Sequence, residues 1–404
     1  MVKIFIARQP IIDRDGRIFA YELLFRSGFV DRAEIEEGRV ATVRVIESLI
    51  SSFGLRTLLR DKKGFINIDE TLDILSIVEV LPADRIGFEI LETSALSEAF
   101  LNRVKGLKDL GYELSLDDFV FSEDLVPFLS VVDYVKIDVL EYDETTLAEA
   151  FRTAKGFGVK TIAEKVETYD MFRICYELGF DYFQGYFFQK PQVVASRTIE
   201  PAYTALIRLY NLVSQEAEIK EIEKVFKKFS ELSVKLLQLI NSAYYSLRQP
   251  VRSIRHAILM LGYRNLLRWV LLLMYSMRQE DFSSDPLFEE ASIRGFFMER
   301  IARRVFQDKE MADKAFITGV LSLVDVLLGV PREEAVELMR IEEDIKRALL
   351  NREGTLGDML SIVEGVQRWK FRQIKKILKS YRLTPQEVLE LQAQAMRDYA
   401  SLEF

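Results

Sequence analysis

Residues 112–168 decide the fold, because they hold three short apolar segments that each end in polar residues. The segments read YELSLDD at 112–118, DYVKID at 133–138 and KTIAEKVET at 160–168, and helix-like sequence separates them. Alternating strands and helices predict a mainly parallel sheet. When such a sheet closes into a barrel, the carboxyl ends of its strands meet at one mouth and supply the active site. We therefore predict a β/α barrel with functional residues at its strand ends.

The same pattern extends through the first half of the chain. IFIARQPII and RIFAYELLFR flank a turn at 13–16 that contains Asp15-Gly16, a hairpin signal, so at least one strand must be antiparallel. A helical stretch is expected at about 38–53, and GFINI, RIGFEI and YFQGYFF supply further strands. Residues 1–195 are predicted to form a TIM-like (β/α)8 barrel with one antiparallel strand. From 196 to 404 the apolar spacing is of the i, i+3, i+4 type, which predicts a separate all-helical domain.

The composition argues against several classes of function. The net charge of −8 argues against a general nucleic-acid binder, because phosphate binding needs a basic footprint. One cysteine, Cys175, makes an intramolecular disulfide impossible and fits a reducing cytoplasm. One histidine in the chain nearly excludes serine-histidine triads and multi-histidine zinc sites. The longest apolar stretch, from Leu266, contains Arg268 and is too short to span a bilayer, so we predict a core helix and no membrane association.

The polar strand ends are candidates for a metal site. Any metal chemistry has to rest on carboxylates and amides, because histidine is nearly absent. Five of the strand-end residues are hard oxygen ligands, suited to Mg²⁺ or Mn²⁺. The five are Glu22, Asn67, Glu89, Asp117 and Asp118, and the other polar residues of the set are Lys136, Glu164, Glu167 and Gln184.

These motifs, in this order, resemble the EAL domain, the phosphodiesterase module that opens the cyclic dinucleotide c-di-GMP. The signature Glu-x-Leu-x-Arg appears as ELLFR at 22–26, and the family's asparagine-bearing strand appears as FINI at 65–68. The remaining elements are EILE at 89–92, DDF at 117–119, KID at 136–138, AEKVET at 163–168 and QGY at 184–186. The resemblance covers about residues 3–192.

The resemblance implies metal-dependent hydrolysis of one phosphodiester bond, with Mg²⁺ or Mn²⁺ as cofactor. It also implies a role for each matched residue, and EAL barrels often form homodimers. One metal would be held by Glu22, Asn67, Glu89 and Asp117. Asp117 would bridge to a second metal, which Asp118 and Glu167 also hold. The attacking water would be oriented or deprotonated by Lys136 and Glu164, and the substrate would be bound by Arg26 and Gln184.

The chain departs from the active family pattern in one loop. Catalytic members usually continue Asp-Asp-Phe with glycine, but here Val120-Phe121-Ser122-Glu123 follows, without glycine. Glycine permits backbone angles that valine and phenylalanine resist. Glu92 matches the residue that usually anchors this loop, and Lys165 replaces the usual glycine of AEGVET. We therefore expect c-di-GMP binding with weak or no turnover.

The second half resembles the HDOD domain, a helical relative of HD-type phosphohydrolases. The matching elements are LLQLINSAYYS with the following IRHAILMLGY, and the segment AFITGVLSLVDVLLG. Where HD enzymes carry Gly-Leu-Leu-His-Asp, this chain has Gly319-Val320-Leu321-Ser322-Leu323, so the His-Asp pair is missing. The second half is therefore predicted to be a signalling or docking domain for an unidentified protein. Both halves together resemble bacterial EAL-HDOD proteins of the YuxH type.

Three functions follow as alternatives. The chain is expected to bind c-di-GMP with weak or no turnover and to relay the signal through its helical half. Active metal-dependent c-di-GMP hydrolysis to linear pGpG is almost as strongly indicated. A nucleotide-free interaction scaffold is the third reading, and the retained ligand set disfavours it.

Overall fold

The computed structural model describes residues 5–26, 55–70, 78, 81–91, 94–189, 201–229, 232–234, 236–237, 251, 253–277 and 284–402. The chain divides into two compact units, Met1–Lys190 and Pro191–Phe404. The helix expected at about 38–53 lies outside the described residues.

The first unit is a closed eight-stranded barrel whose strands follow one another in chain order. Strand β1 is antiparallel to both β2 and β8, and the other neighbouring pairs are parallel. The predicted barrel with one antiparallel strand is therefore confirmed. The strands are β1 Phe5–Asp13, β2 Ile18–Arg26, β3 Lys63–Ile68, β4 Ile86–Ile90, β5 Glu113–Leu116, β6 Tyr134–Asp138, β7 Lys160–Glu164 and β8 Tyr182–Gln184.

The opening hairpin explains the reversed strand. Asp13 Oδ1 accepts hydrogen bonds from the backbone N–H groups of Asp15 and Arg17, both at 2.9 Å. Gly16 adopts φ 77°, a left-handed conformation that glycine reaches without steric cost. The turn aligns β1 and β2 so that Gln9 lies opposite Glu22.

Helices follow most strands of the barrel, and side-chain caps fix where several of them begin. Ser97, Asp143 and Thr168 each accept a backbone N–H from the first turn of the helix that follows. The helices are α1 Leu55–Leu59, α2 Glu98–Asp109, α3 Val126–Leu129, α4 Glu144–Gly156 and α5 Tyr169–Leu178.

A layer of apolar side chains lies two residues before the polar residues at the ends of the strands. Side chains two positions apart on a strand point to the same face. Ile11, Ala20, Phe65, Tyr134 and Ile162 form one buried cluster. Ala20, Phe65, Tyr134 and Ile162 precede Glu22, Asn67, Lys136 and Glu164 by two residues each. Because of the strand pleat, the polar side chains lie on the same face as this apolar layer, one level closer to the carboxyl ends of the strands.

The second unit contains helices and no strand among its described residues. This confirms the predicted all-helical half. Its helices are α6 Pro201–Ser214, α7 Ile219–Lys228, α8 Ile254–Ser276, α9 Pro286–Phe306, α10 Lys309–Leu321, α11 Val324–Leu328, α12 Arg332–Leu338, α13 Glu343–Asn351, α14 Gly354–Gln367, α15 Phe371–Ser380 and α16 Pro385–Ala400.

Helix α8 contains the longest apolar stretch of the sequence. In the described part of the chain it is the one helix long and apolar enough to span a membrane, and 56% of its most apolar window is buried in the protein. Its Arg268 pairs with Glu299 at 2.6 Å and with Asp313 at 3.5 Å. Gly262, at φ 69° and ψ 168°, kinks the helix. Burial and internal ion pairs are typical of a core helix.

Candidate active site

Lys136 lies at the centre of the polar strand ends. Its ammonium is 3.2 Å from Glu22 Oε2, 2.5 Å from Glu164 Oε1 and 3.2 Å from Asp117 Oδ1. It also donates a hydrogen bond to Glu89. Lys136 and Glu89 are fully buried, so these charges interact with little screening by water. The barrel has brought together four acids that are distant in sequence around one base.

Strand register and neighbouring polar groups orient the acids. Asn67 lies opposite Glu89 in the β3–β4 pair, and the backbone N–H of Asp117 donates to Ile90 O at 2.9 Å. The Gln184 amide on β8 donates to Glu22 Oε2 at 2.6 Å. These contacts hold the side chains of β2, β3, β4 and the end of β5 at the same level of the barrel.

Burial and charge shift the titration of the cluster in opposite directions. Burial raises the pKa of Glu89 well above its usual range, despite the nearby Lys136 ammonium. Burial likewise raises the pKa of Glu164 to about 8, again against the effect of Lys136. Burial also acts on Asp117, but Lys136 and nearby hydrogen bonds outweigh it and lower the pKa of that carboxyl. For Lys136 the acids outweigh burial, so its pKa is raised and it remains charged.

The acids form two groups in which one oxygen from each residue lies within 4.8 Å of the others. We call Glu22, Glu89 and Glu164 the buried group, and Asp117, Asp118 and Glu164 the half-buried group. Glu164 belongs to both.

A metal ion fits the buried group because acceptors beside it lack donors. Asn67 Oδ1 and Glu89 Oε2 are buried and, among the described residues, accept no hydrogen bond. A buried acceptor without a partner is costly, and a cation would remove that cost. Carboxylate and amide oxygens are also the donors that Mg²⁺ and Mn²⁺ prefer. The residues present therefore suit a hard divalent ion.

Lys165 and Asp138 adjoin the half-buried group. The Lys165 ammonium forms an ion pair with Asp138 and lies 3.7 Å from Asp118 Oδ1. Asp118 and Lys165 have φ values of 40° and 54°, so both adopt the left-handed backbone conformation. The sequence had marked Lys165 only as a replaced glycine and had assigned Asp138 no role. The position of Asp138 at the end of β6 was the signal that could have identified it.

Comparison with known proteins decides the family. The EAL domain family matches residues 3–191, and the HDOD domain family matches residues 198–354. Cyclic di-GMP phosphodiesterase CdgJ of Vibrio cholerae serotype O1 is 31% identical over 380 residues, 93% of this chain and 88% of its own. The chain belongs to the EAL-HDOD family.

Two further similarities accompany this assignment. Protein YuxH of Bacillus subtilis strain 168, described as uncharacterized, is 29% identical over 374 residues, 91% of either chain. The solved c-di-GMP bound form of a standalone versatile EAL protein from Vibrio cholerae O395 is 22% identical to the EAL unit. It covers 47% of this chain and 92% of its own, with a TM-score of 0.39.

One predicted residue of the EAL unit belongs to neither acid group, and the side chains of two others lie outside the described residues. Glu167 lies in the loop after β7, is exposed, and belongs to neither acid group. Arg26 ends β2, but its side chain lies outside the described residues. Glu92, the predicted loop anchor, also lies outside them.

The loop beyond Gln184 needs its glycine. Gly185 has φ 151°, and a Cβ there would overlap the backbone of Val166. The Val166 N–H donates to Gln184 O at 3.0 Å, which draws the two segments together. Gly185 thus permits the close approach that keeps the loop after β7 beside β8.

In the HDOD unit, an arginine network occupies the segment that lacks the His-Asp pair. Ser322 Oγ accepts a hydrogen bond from Arg294 Nη1 at 3.3 Å and donates one to Gly319 O at 2.7 Å. The same guanidinium bonds to Glu290 and Gln367. Across the described residues, both candidate metal groups lie in the EAL unit.

Proposed function

We propose that the EAL unit binds cyclic di-GMP together with Mg²⁺ or Mn²⁺ and turns it over slowly or not at all. The observation that carries this proposal is the convergence of Glu22, Glu89 and Glu164 on Lys136, beside the unpartnered Asn67 oxygen. The name of CdgJ, a cyclic di-GMP phosphodiesterase that aligns with this chain over 88% of its own length, supports the choice of nucleotide. The HDOD unit would relay the signal by docking an unidentified protein.

We assign each residue a part in nucleotide binding. Glu22, Asn67, Glu89 and Asp117 would hold a divalent ion, with Asp118 and Glu167 on the side where the family resemblance implies a second. Arg26 and Gln184 would contact the nucleotide, the guanidinium through a phosphate. When bound, a divalent ion lowers the pKa of water and offsets charge on a phosphodiester.

Glu164 would take the proton of the attacking water, and Lys136 would orient the groups around it. A base is most effective when its pKa lies near the working pH, and the pKa of Glu164 is raised to about 8. In its ionised form Glu164 could accept the proton while the water oxygen attacks phosphorus and the P–O3′ bond breaks. The departing O3′ would take a proton from solvent, giving linear pGpG, and Glu164 would release its proton to solvent. Lys136, 2.5 Å away, would hold Glu164 in place.

The loop after Asp118 supports slow turnover. Val120 and Phe121 are 59% and 48% exposed, and neither offers the backbone freedom of glycine. The Phe119 N–H donates to Lys136 O at 2.8 Å, so the start of the loop is fastened to the strand that carries the central lysine. A loop without glycine does not reach the backbone angles that glycine permits, so it adjusts less readily around a nucleotide.

Active hydrolysis is a second candidate, because the complete acid set around Lys136 is intact. The full-length chain, c-di-GMP and Mn²⁺ or Mg²⁺ would be combined, with nucleotide binding followed by calorimetry and pGpG by chromatography. Binding with product far below one turnover per minute supports the first proposal, and rapid product formation supports active hydrolysis. No binding at high micromolar nucleotide would leave only a nucleotide-free scaffold.

Matched variants connect the result to the site. Glu22→Gln should abolish metal-dependent nucleotide binding, because it removes a charged oxygen from the buried group. Glu149→Gln, on the exposed face of α4, is the control and should behave as the unmodified chain. Light scattering on the same samples tests the homodimer that the resemblance implies.

A further inference from the structure

The segment 368–382 of the HDOD unit is strongly basic, although the whole chain has a net charge of −8. It contains seven lysine and arginine residues and no acidic residue. All seven are exposed, and they are Arg368, Lys370, Arg372, Lys375, Lys376, Lys379 and Arg382. The HDOD family matches residues 198–354, so this segment lies beyond the matched part of the unit.

Helix α15 gathers four of these charges on its exposed side. The buried side of the helix is apolar and consists of Phe371, Ile374 and Leu378. The exposed side repeats basic residues at i, i+3, i+4 and i+7, which are Arg372, Lys375, Lys376 and Lys379. We call these four residues the basic face. Neighbours at this spacing have Cβ atoms about 5–6 Å apart, so their charges form one compact positive patch.

The lysines of the basic face have no acidic partner in the part of the chain that the structure describes. No residue from 365 to 386 is acidic, and the acids of the adjoining helix α14 are engaged elsewhere. Asp358 accepts a hydrogen bond from the Tyr381 hydroxyl at 2.8 Å, and Glu364 pairs with Arg352 at 2.9 Å. Like charges on neighbouring turns of a helix repel one another, so an anionic partner would remove a destabilising interaction.

Aromatic side chains lie at both ends of α15. Trp369, just before the helix, packs edge-to-face on Phe371 with 5.6 Å between ring centroids. Tyr381, just after it, packs edge-to-face on Phe306 at 6.0 Å, and Phe306 is 38% exposed. Tryptophan, tyrosine and arginine are the residues that most often dominate the energy of protein interfaces. The region therefore offers apolar contacts beside its charge.

An acidic protein segment fits this surface better than a membrane or a nucleic acid does. The apolar side of α15 is buried in the unit, so the helix has no apolar side to insert into a bilayer. Outside the basic segment the chain is even more acidic than its net charge, which repels the long polyanionic backbone of a nucleic acid. Carboxylates at i and i+4 of a helix have the same spacing as the lysines of the basic face.

We propose that the basic face is the surface on which the HDOD unit docks an acidic, helical segment of a partner protein. The inference rests on the proposed function and deepens it, because it gives the partner of the HDOD unit a chemistry and a place to bind. Carboxylates of the partner pair with the lysines, and an apolar side chain of the partner contacts the exposed ring of Phe306.

The test measures how the full-length chain binds defined anionic probes. The main probe is a fluorescein-labelled helical peptide with glutamates at i, i+4 spacing and one phenylalanine, and its control peptide has glutamine in place of every glutamate. Binding is followed by fluorescence anisotropy at low and at physiological salt, because exposed charge pairs weaken as salt rises. Labelled single-stranded RNA, a labelled DNA duplex and vesicles of phosphatidylserine and phosphatidylcholine are titrated under the same conditions.

Matched variants connect binding to the basic face. One triple variant combines Lys375→Gln, Lys376→Gln and Lys379→Gln, and a second replaces the same three lysines by arginine. The control variant removes three exposed charges from α7 of the same unit, through Lys220→Gln, Lys227→Gln and Lys228→Gln. Circular dichroism and melting curves confirm that each variant is folded before its binding is measured.

We expect the unmodified chain to bind the acidic peptide and not its glutamine control. The glutamine variant of the basic face should bind at least about tenfold more weakly, because three exposed charge pairs are lost. The arginine variant and the α7 control should bind as the unmodified chain does. Tighter binding of RNA, DNA or vesicles than of the peptide, equal losses in the two glutamine variants, or no peptide binding would each overturn the proposal.

Two further measurements separate the remaining occupants and the two proposals. Light scattering tests a second copy of the chain as occupant, and a dimer that dissociates only in the glutamine variant of the basic face would overturn the partner-protein assignment. Titration with c-di-GMP and Mn²⁺ should give the same affinity in all variants, because their substitutions lie in the HDOD unit. A chain that binds nucleotide but not the peptide overturns the docking surface alone, and a chain that binds the peptide but not nucleotide overturns nucleotide binding alone.

Discussion

Lys136 on β6 and Glu164 on β7 meet inside the barrel with 2.5 Å between Nζ and Oε1. The ammonium is almost fully buried, and it also contacts Glu22, Glu89 and Asp117. One positive charge thus stabilises a cluster whose other charged members are carboxylates. Removing one partner of a buried ion pair leaves an uncompensated charge, so it destabilises a protein far more than replacing both partners by apolar residues does.

Lys136→Met should therefore destabilise the metal-free EAL unit by about 3 kcal/mol or more, because four carboxyl groups lose their shared counter-charge. Urea unfolding of the full-length chain, followed by fluorescence and fitted for two units, measures the loss. Lys155→Met provides the control, since its exposed pair with Asp181 contributes at most about 1 kcal/mol. Equal losses in the two variants would contradict the central position of Lys136.

The raised pKa of Glu164 predicts that metal binding strengthens as the pH rises. A carboxyl group with a folded pKa of about 8 is largely protonated at pH 7, and it must lose its proton before its negative charge can attract a cation held beside it. Mn²⁺ affinity should increase between about pH 6 and 9, with a proton released on binding. Calorimetry in buffers of different ionisation enthalpy measures that proton.

The same shift determines how the stability of the metal-free protein depends on pH. The folded pKa of Glu164 lies above the usual value of 4.5, so folded Glu164 retains a proton that the unfolded chain has lost. The stabilising contribution is complete below about 4.5 and disappears as the pH rises through about 8. Glu164→Gln should flatten this part of the stability profile, and an unchanged slope in the variant would contradict the assigned shift.

The strand ends could be located from sequence because two signals coincide there. Strands separated by helices predicted a parallel barrel, and polar residues such as Glu22 and Lys136 follow apolar ones at a spacing of two residues. That spacing places Ala20 and Tyr134 in the apolar layer and the polar residues one level closer to the carboxyl ends of the strands. The resemblance to EAL domains then supplied the roles, which remain proposals.

The contact between Lys165 and Asp138 could not be predicted in the same way. The residues are 27 positions apart, and their contact requires a left-handed backbone at Lys165 that lysine seldom adopts. The Arg294 network of the HDOD unit was missed for a similar reason, because its members are far apart in sequence: Ser322 follows α10 and Gln367 ends α14. Periodicity assigns residues to faces of helices and strands, but it does not pair side chains across the fold.

Glu299 should control the acid stability of the HDOD unit. Arg268 donates to both of its carboxylate oxygens, at 3.2 and 2.6 Å, and Arg303 adds bonds of 3.0 and 2.7 Å. Burial would raise the pKa of Glu299, but these two arginines outweigh it and lower the pKa. Its contribution to stability is present above the usual value of 4.5 and is lost as the pH falls through the lower folded value.

Glu299→Gln should therefore cost about 2 kcal/mol at pH 7 and progressively less as the pH falls through the lowered folded pKa of Glu299, because the protonated acid has lost its charge. Melting temperatures of the unmodified chain and the variant across this pH range measure the difference. Glu337→Gln is the control, since Glu337 forms an exposed pair with Lys346. A penalty for Glu299→Gln that does not change with pH would show that shape, rather than charge, explains the loss.

Gly185→Ala should destabilise the EAL unit by about 2 kcal/mol or more, because the added Cβ meets the Val166 backbone and the left-handed conformation disfavours alanine. The loop that follows Glu164 would have to move away from β8, so Mn²⁺ affinity should fall together with stability.

Gly106→Ala is a matched control within the same barrel. Gly106 lies inside α2 with nothing within 4 Å of an added Cβ, and alanine there should stabilise the protein by about 0.5–1 kcal/mol. Urea unfolding should therefore show lower stability for Gly185→Ala and higher stability for Gly106→Ala. Mn²⁺ titration should show altered metal binding only for Gly185→Ala. A stable Gly185→Ala protein with unchanged Mn²⁺ affinity would mean that the approach of Val166 to Gly185 does not hold the site together.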